Sequence, residues 1–142
     1  PESTFPNPPQ LQLPNSSSVI SNSEGGACGG GETVTIATAL RLSCNIPFAQ
    51  LGLALGEETI AEYAEAFGFG TSVEIPMEVT PSTFPTGLDD AQLMLSSFGQ
   101  YDVRVTPLQI AMISAAIANG GNLMQPTLVD SIIAPDLSII RQ

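Results

Sequence analysis

VTPLQIAMISAAIANGG, residues 105–121, is the stretch with the clearest fold signals in the chain. Thr106 is well placed to cap a helix that begins at Pro107, and the run ANGG at 118–121 is typical of a helix end. Between them, LQIAMISAAIA is apolar on nearly every face, which predicts a helix buried on all sides. This helix has about 12 residues, fewer than the roughly 20 that a membrane span requires.

Four further helices are predicted upstream of this stretch, the first three of them from apolar residues at helical spacing. They cover residues 33–42, 46–55, 57–67 and 89–96, and the last begins at Asp89 or Asp90. Pro47 in the first turn of the second helix and Gly56 after its last residue occupy the usual positions of these residue types. The third helix carries an apolar stripe that predicts core packing, formed by Ile60, Tyr63, Ala64 and Phe67.

The remaining segments predict extended pieces and turns rather than helices. Residues 1–32 hold five of the twelve prolines and the run GGACGGG at 25–31, so we expect a Pro/Gly-rich region of loops and extended chain. Prolines also interrupt residues 71–88, which favours short extended pieces. Near the C-terminal end, TLVDSIIAPDLSII at 127–140 predicts two short strands around an Ala-Pro-Asp turn.

Charge and composition exclude several classes of function. The 142 residues include 14 Asp and Glu but only three Arg, with no Lys and no His, and the formal net charge is −11. Nucleic acid is an unfavourable partner because phosphate binding depends on clustered Lys and Arg. Neither a Ser-His-Asp triad nor a Ser-Lys dyad can be assembled from these residues alone, and two Cys without His do not make a zinc site. No metal or cofactor is therefore expected.

The stretch RLSCNIPFAQ, residues 41–50, places Ser43, Cys44 and Asn45 between two predicted helices. Two interpretations of these polar residues remain open. Taken alone, Ser43 and Asn45 suit a helix junction, since Asn is among the best residues for capping a helix start. A catalytic loop would be polar as well, and the local sequence does not separate the two.

The order of three motifs resembles the transpeptidase domain of penicillin-binding proteins. Ser43-Cys44-Asn45 matches the SxN motif, SSFGQ follows at 96–100, and the TPLQ helix with its ANGG turn precedes Met124 and Pro126. The resemblance covers almost the whole chain and is to class B enzymes of the actinobacterial penicillin-binding protein A type. It implies an α+β penicillin-binding transpeptidase fold, of which this chain is mainly the helical subdomain with short strands toward the C-terminus. One departure is that SSFGQ is followed by Tyr101-Asp102, where many relatives have Gly.

The family brings three motifs to one cleft, and only the middle one is present in this chain. SxxK supplies the nucleophilic Ser and its Lys, SxN supplies a hydroxyl and an amide, and KTG lies on a strand edge. The absence of Lys shows that SxxK and KTG lie outside residues 1–142. The resemblance therefore implies a partial transpeptidase domain whose nucleophile is elsewhere, at the extracytoplasmic face of the cell membrane and anchored by a segment outside this chain.

The implied activity is D,D-transpeptidation of peptidoglycan stem peptides through an acyl-enzyme that β-lactams also form. If the roles of the family's SxN motif are transferred to the matching residues, Ser43 relays a proton to the leaving amine. Asn45 then binds the amide carbonyl of the substrate and orients it. Stem peptides, β-lactams and other cell-wall synthesis or cell-division proteins are the implied partners. The alternative is a non-catalytic scaffold or interaction module derived from the same fold.

Cys28 and Cys44 are a candidate disulfide. An extracytoplasmic domain lies in an oxidising compartment, and the 16 residues that separate the two Cys cross a Gly-rich loop flexible enough to close. The alternative is that Cys44 is a small buried side chain with a free thiol.

Overall fold

The computed structural model describes residues 2–141 as helices joined to short strands. The strands are β1 (Thr4–Pro6), β2 (Gln10–Gln12), β3 (Val19–Ser21), β4 (Thr33–Thr35), β5 (Ile132–Ile133) and β6 (Ile139–Arg141). The helices are α1 (Ile36–Arg41), α2 (Ile46–Leu55), α3 (Glu57–Ala66), α4 (Asp90–Ser96) and α5 (Pro107–Ala118). The strands pair antiparallel as β1–β4, β2–β3 and β5–β6. Within this part of the chain, none of the helices has the length and apolar character needed to cross a membrane.

The predicted first helix starts later than its sequence pattern indicates. Residues 33–35 form β4, which pairs with β1 so that Val34 lies opposite Phe5. The β-branched Thr and Val side chains suit a strand, and the partner strand lies far upstream, where the local pattern gives no sign of it. Helix α1 begins only at Ile36, and the Thr35 hydroxyl accepts the Thr38 N–H at 3.2 Å as its cap. Strands therefore occur at both ends of the chain, and not only toward the C-terminus.

Helix α2 lies at the centre of the packing. Its residues Ile46 and Ala49 are fully buried in a cluster with Leu13 after β2, Ile20 of β3 and Met94 of α4. The other side of α2 contributes Phe48 to a second cluster, which contains Cys28, Val34, Ala39 and Cys44. The connection between α1 and α2 therefore lies directly over the second cluster.

Helix α2 approaches α4 closely at Gly52. A Cβ atom built at this residue would lie 1.8 Å from the Ser97 Oγ and 2.5 Å from the Ser97 Cβ. Both distances are far below a van der Waals contact, so only glycine fits here without displacing α4. This contact sets the distance between α2 and the segment that follows α4.

Two predictions about burial were wrong. Helix α5 was expected to be buried on all sides, yet Gln109 and Ala116 are its buried residues, and Ile110 and Ile117 are 50% and 70% exposed. The α3 stripe was expected to pack in the core, but no residue of α3 is buried and Tyr63 is 65% exposed. An apolar pattern shows which face of a helix tends to be buried. Within residues 2–141, the apolar faces of α3 and α5 are only partly buried by other residues.

Hydrogen bonds fix the start of α5. The Thr106 hydroxyl accepts the Gln109 N–H at 3.1 Å, as the predicted cap requires, and the Thr106 N–H donates to the Ser82 hydroxyl. The Gln109 side chain is buried and donates to the carbonyl of Phe67, the residue after α3. The polar residue inside the apolar TPLQ helix therefore joins α5 to the end of α3.

The remaining connections follow their sequence signals. Asp89 caps α4 in a capping box with Gln92, as the predicted start of that helix indicated. Strands β5 and β6 form the predicted pair, and Asp136 in their turn accepts both the Ser138 hydroxyl at 2.6 Å and the Ser138 N–H at 3.0 Å. The hydroxyl hydrogen bond is the largest cause that holds the pKa of Asp136 below its ordinary value.

Candidate active site

Ser43 lies in the tight turn that closes α1. The Leu40 carbonyl accepts the Ser43 N–H at 3.2 Å, and the Ala39 carbonyl accepts the Cys44 N–H at 2.9 Å. This pair of bonds is a Schellman motif, which places one residue in the left-handed conformation, usually glycine. Here that residue is Ser43, with a φ of 55°. An L-residue in this conformation costs about 1–2 kcal/mol.

The same turn closes three other helices, and each of them has glycine at the left-handed position. These glycines are Gly68 after α3, Gly99 after α4 and Gly120 after α5, with φ values of 92°, 81° and 66°. In each turn the N–H of the following residue bonds to the carbonyl five residues earlier, as in the turn at Ser43. A hydroxyl-bearing residue thus occupies the position for which these three helix ends use glycine, while Asn15, Tyr101 and Leu137 have a positive φ outside helix ends. Strain of this kind is concentrated at functional sites.

Asn45 occupies the cap position of α2, but its side chain does not cap the helix. The Asn45 amide Nδ2 instead donates to the Ser21 carbonyl at 2.9 Å. The Asn22 Oδ1 accepts the N–H groups of Asn45 at 3.0 Å and Ile46 at 3.2 Å. The interpretation of Asn45 as a capping residue was therefore wrong. Sequence reasoning missed Asn22, because these bonds join residues more than 20 positions apart.

A shallow cleft brings the first two motifs together. It has a volume of about 270 Å³ and is lined by Leu40, Ser43, Cys44, Asn45, Phe48, Ser97 and Phe98. Ser97 and Phe98 belong to SSFGQ, whereas the TPLQ helix α5 does not reach this cleft. Within residues 2–140, the Ser43 hydroxyl has no hydrogen-bond partner, whereas the Ser97 hydroxyl donates to the Leu93 carbonyl at 2.7 Å.

The cleft carries hydrogen-bonding groups but no charge of its own. Every residue that lines it is uncharged at neutral pH. In the described part of the chain, no group of three or more His, Cys, Asp or Glu residues is arranged to hold a metal ion. With its hydroxyl and its amide, the cleft is able to orient a peptide-like ligand and pass a proton. It does not contain a nucleophile together with its base.

Cys44, the middle residue of SxN, is joined to Cys28 by a disulfide, with their Cα atoms 6.0 Å apart. The Cys28 end is held by the buried side chain of Asn7. The Asn7 Nδ2 donates to the carbonyls of Cys28 and Gly31, each at 2.7 Å, and its Oδ1 accepts the Cys28 N–H at 2.8 Å. The glycine-rich loop is thereby attached to β1 and its neighbours on one side and to the SxN turn on the other.

We predict that this disulfide forms in the oxidised protein and stabilises it. The two Cys are 16 residues apart, and a loop of this length corresponds to about 3 kcal/mol of stabilisation in the chain-entropy model. Thiol alkylation with and without reductant, followed by intact mass measurement, checks the pairing. Thermal unfolding of the oxidised and reduced protein checks the effect. Two alkylated thiols in the unreduced sample would refute the pairing.

Tyr101 is the first residue of the pair that departs from the family pattern after SSFGQ. Its φ is 62°, so the chain adopts at this position the left-handed conformation that glycine accommodates best. The ring is 54% exposed and does not line the cleft. Tyr101 therefore holds a strained backbone conformation outside the SxN cleft.

The comparison with known families identifies this arrangement. The sequence model of the penicillin binding protein transpeptidase domain matches residues 1–142. The chain belongs to the penicillin-binding protein transpeptidase family. The resemblance drawn from SxN, SSFGQ and the TPLQ helix is confirmed.

Relatives within this family share both sequence and fold with the chain. Peptidoglycan D,D-transpeptidase PbpA of Mycolicibacterium smegmatis is 42% identical over 141 residues, which are 99% of the chain and 29% of that protein. The crystal structure of PBPA from Mycobacterium tuberculosis has 40% identity and a TM-score of 0.90 over 97% of the chain and 32% of that structure. A ceftriaxone acyl-enzyme complex of penicillin-binding protein A from the same species matches with 40% identity and a TM-score of 0.91, over 97% of the chain and 31% of that structure. The predicted penicillin-binding transpeptidase fold is confirmed, and the chain spans less than a third of the length of each of these relatives.

Proposed function

We propose that these 142 residues are the SxN-bearing part of a longer serine D,D-transpeptidase, hereafter the full transpeptidase. That enzyme cross-links peptidoglycan stem peptides through an acyl-enzyme and is acylated by β-lactams. The activity is named in the 42% identical relative, and a 40% identical relative was solved as a β-lactam acyl-enzyme. The SxxK and KTG motifs come from residues outside 1–142, because this chain contains no Lys.

The observation that carries the proposal is the conformation of Ser43. A serine in a left-handed turn costs stability that glycine would not cost, and three other helices of this chain end with glycine at the equivalent position. Ser43 is exposed and lines the cleft, and its hydroxyl makes no hydrogen bond within residues 2–140. We therefore assign the hydroxyl to the reaction rather than to the turn.

In the proposed mechanism, the nucleophilic Ser of SxxK attacks the carbonyl of the terminal D-Ala–D-Ala bond. The Ser–acyl bond forms, the C–N bond breaks, and the departing amine takes up a proton. Ser43 relays that proton from the SxxK pair to the amine. Asn45 donates from its amide to the carbonyl of the stem peptide and orients it. An amine from a neighbouring stem then attacks the acyl carbon: the new C–N bond forms, the Ser–acyl bond breaks, and the proton that the amine loses returns to the Ser hydroxyl, which completes the cross-link.

The proposed setting follows from that reaction. Stem peptides and β-lactams are the ligands of the full transpeptidase, and cell-wall synthesis or division proteins are its macromolecular partners. The domain operates on the extracytoplasmic face of the membrane, held there by a segment outside these residues. The Cys28–Cys44 disulfide suits that oxidising location.

Covalent labelling by a fluorescent penicillin tests the proposal. The full transpeptidase is expected to be labelled, and an excess of unlabelled penicillin is expected to block the label. The 142-residue chain alone is expected to remain unlabelled because it lacks the Ser-Lys pair. If the full transpeptidase were folded yet unlabelled, the non-catalytic scaffold would be the better description.

A further inference from the structure

Asn22 lies just after β3 and is 7% exposed. Its Oδ1 accepts two backbone N–H groups at the start of α2, from Asn45 at 3.0 Å and from Ile46 at 3.2 Å. Its Nδ2 donates to the Gly26 carbonyl at 3.0 Å. The side chain therefore joins the turn that follows β3 to the SxN segment.

These bonds perform the work of a helix cap from a distant part of the chain. The first N–H groups of a helix have no partner inside it and require an acceptor. At α2 the Asn22 side chain accepts those of Asn45 and Ile46, and Pro47 has none to satisfy. A side-chain cap by Asn45 would instead accept the Phe48 N–H, and Asn45 makes no such bond.

Asn45, whose backbone Asn22 holds, is one of the residues that line the cleft. The Asn45 Nδ2 uses one hydrogen for the Ser21 carbonyl at 2.9 Å. An amide nitrogen carries two hydrogens, so a second donor remains for a ligand. If α2 were capped by Asn45 itself, the side-chain carbonyl would fold back onto the helix and the amide would be redirected.

We propose that Asn22 is a positioning residue of the transpeptidase reaction. By holding the backbone N–H groups of Asn45 and Ile46, it fixes the backbone from which the Asn45 side chain extends, and so the direction of the Asn45 amide at the cleft. This inference rests on the proposed function, because it concerns acylation by the full transpeptidase. For this role, the side chain at position 22 has to accept two N–H groups. The hydrogen bond that Asn22 donates to the Gly26 carbonyl contributes to stability only.

Two substitutions in the full transpeptidase separate these requirements. Asn22→Leu removes the acceptor and is expected to slow acylation by penicillin roughly 10- to 100-fold, the cost of a misoriented binding group. Asn22→Asp keeps the acceptor, with a carboxylate accepting the same N–H groups, but loses the donor to Gly26. The aspartate variant is expected to melt at a lower temperature and still acylate at close to the wild-type rate. If the leucine variant does not fold, Asn22→Ala replaces it with the same expected loss.

Gln109→Leu is the matched control, since it also removes a buried amide, at the contact between α5 and α3 and outside the cleft. It is expected to lower the melting temperature without slowing acylation. A normal acylation rate in Asn22→Leu, or an equal loss in Asn22→Asp and Asn22→Leu, would overturn the positioning role.

A double-mutant cycle tells failure of the inference from failure of the proposed function. If Asn22 acts through Asn45, adding Asn22→Leu to Asn45→Ala is expected to cause little further loss of acylation rate. If the fold-loss in acylation rate of the double variant equals the product of the two single losses, the inference is overturned and the role of Asn45 stays intact. Normal acylation in Asn45→Ala alone would overturn the catalytic assignment on which the inference rests.

Discussion

Ser43→Gly in the full transpeptidase is expected to slow acylation by penicillin roughly 100-fold, the loss typical of a missing proton relay. The same substitution is expected to leave the free energy of unfolding unchanged or to raise it by up to about 1 kcal/mol, because glycine adopts the left-handed conformation without strain. Ser43 has a φ of 55°, so the two effects have opposite signs. Acylation kinetics and thermal unfolding of one preparation measure both.

This opposition separates a catalytic serine from a turn residue. A serine that only closes α1 would be replaced by glycine with no loss of acylation, and that outcome would refute the role of Ser43. Ser17→Gly is the matched control, since Ser17 is exposed and does not line the cleft. Asn45→Ala is expected to slow acylation roughly 10- to 100-fold through lost orientation of the substrate.

Gly52→Ala is expected to destabilise the domain by about 1–3 kcal/mol, the range for overpacking a dense contact. In an open helix the same change would stabilise the protein by about 1 kcal/mol, since alanine has the higher helix propensity. The sign is reversed here because the new Cβ would lie 1.8 Å from the Ser97 Oγ. Urea unfolding of wild type and variant measures the difference.

Ser97→Gly supplies the control for this prediction. It removes both Ser97 atoms that the new Cβ would meet, at 1.8 and 2.5 Å. The double variant Gly52→Ala, Ser97→Gly is therefore expected to recover most of the stability that Gly52→Ala loses. An equal loss in the presence and absence of the Ser97 side chain would show that the close approach of α2 and α4 is not the cause.

The sequence predicted those helix ends and strands that are determined by residues close to them in the chain. The bounds of α2, the Thr106 cap of α5 and the Asp89 cap of α4 follow from residues within one turn of each helix end. The paired strands β5 and β6 follow from apolar runs on either side of an Ala-Pro-Asp turn. Such signals need no knowledge of distant residues.

Features that depend on distant residues were not predictable in this way. Strand β4 continues the apolar pattern of α1 and becomes a strand because β1, some 30 residues upstream, pairs with it. The exposure of Ile117 and Tyr63 depends on which elements cover α5 and α3, which periodicity does not report. Asn22 reaches Ile46 across 24 positions, and nothing in the local sequence links the two.

The candidate site shows the same division. The SxN residues were singled out through the order of three motifs, and the structure places Ser43 and Asn45 in one cleft with SSFGQ. The left-handed turn at Ser43 and the capping of α2 by Asn22 emerged only from the backbone and hydrogen bonds.

The location of the penicillin adduct in the full transpeptidase is the most direct test of the central claim, that these residues assist acylation without supplying the nucleophile. The acylated protein is digested, and the penicilloyl group is placed by peptide mass spectrometry. The expected result is a single adduct on a serine outside residues 1–142, with Ser43 unmodified. A penicilloyl group on Ser43, or on any other residue of this chain, would contradict the claim.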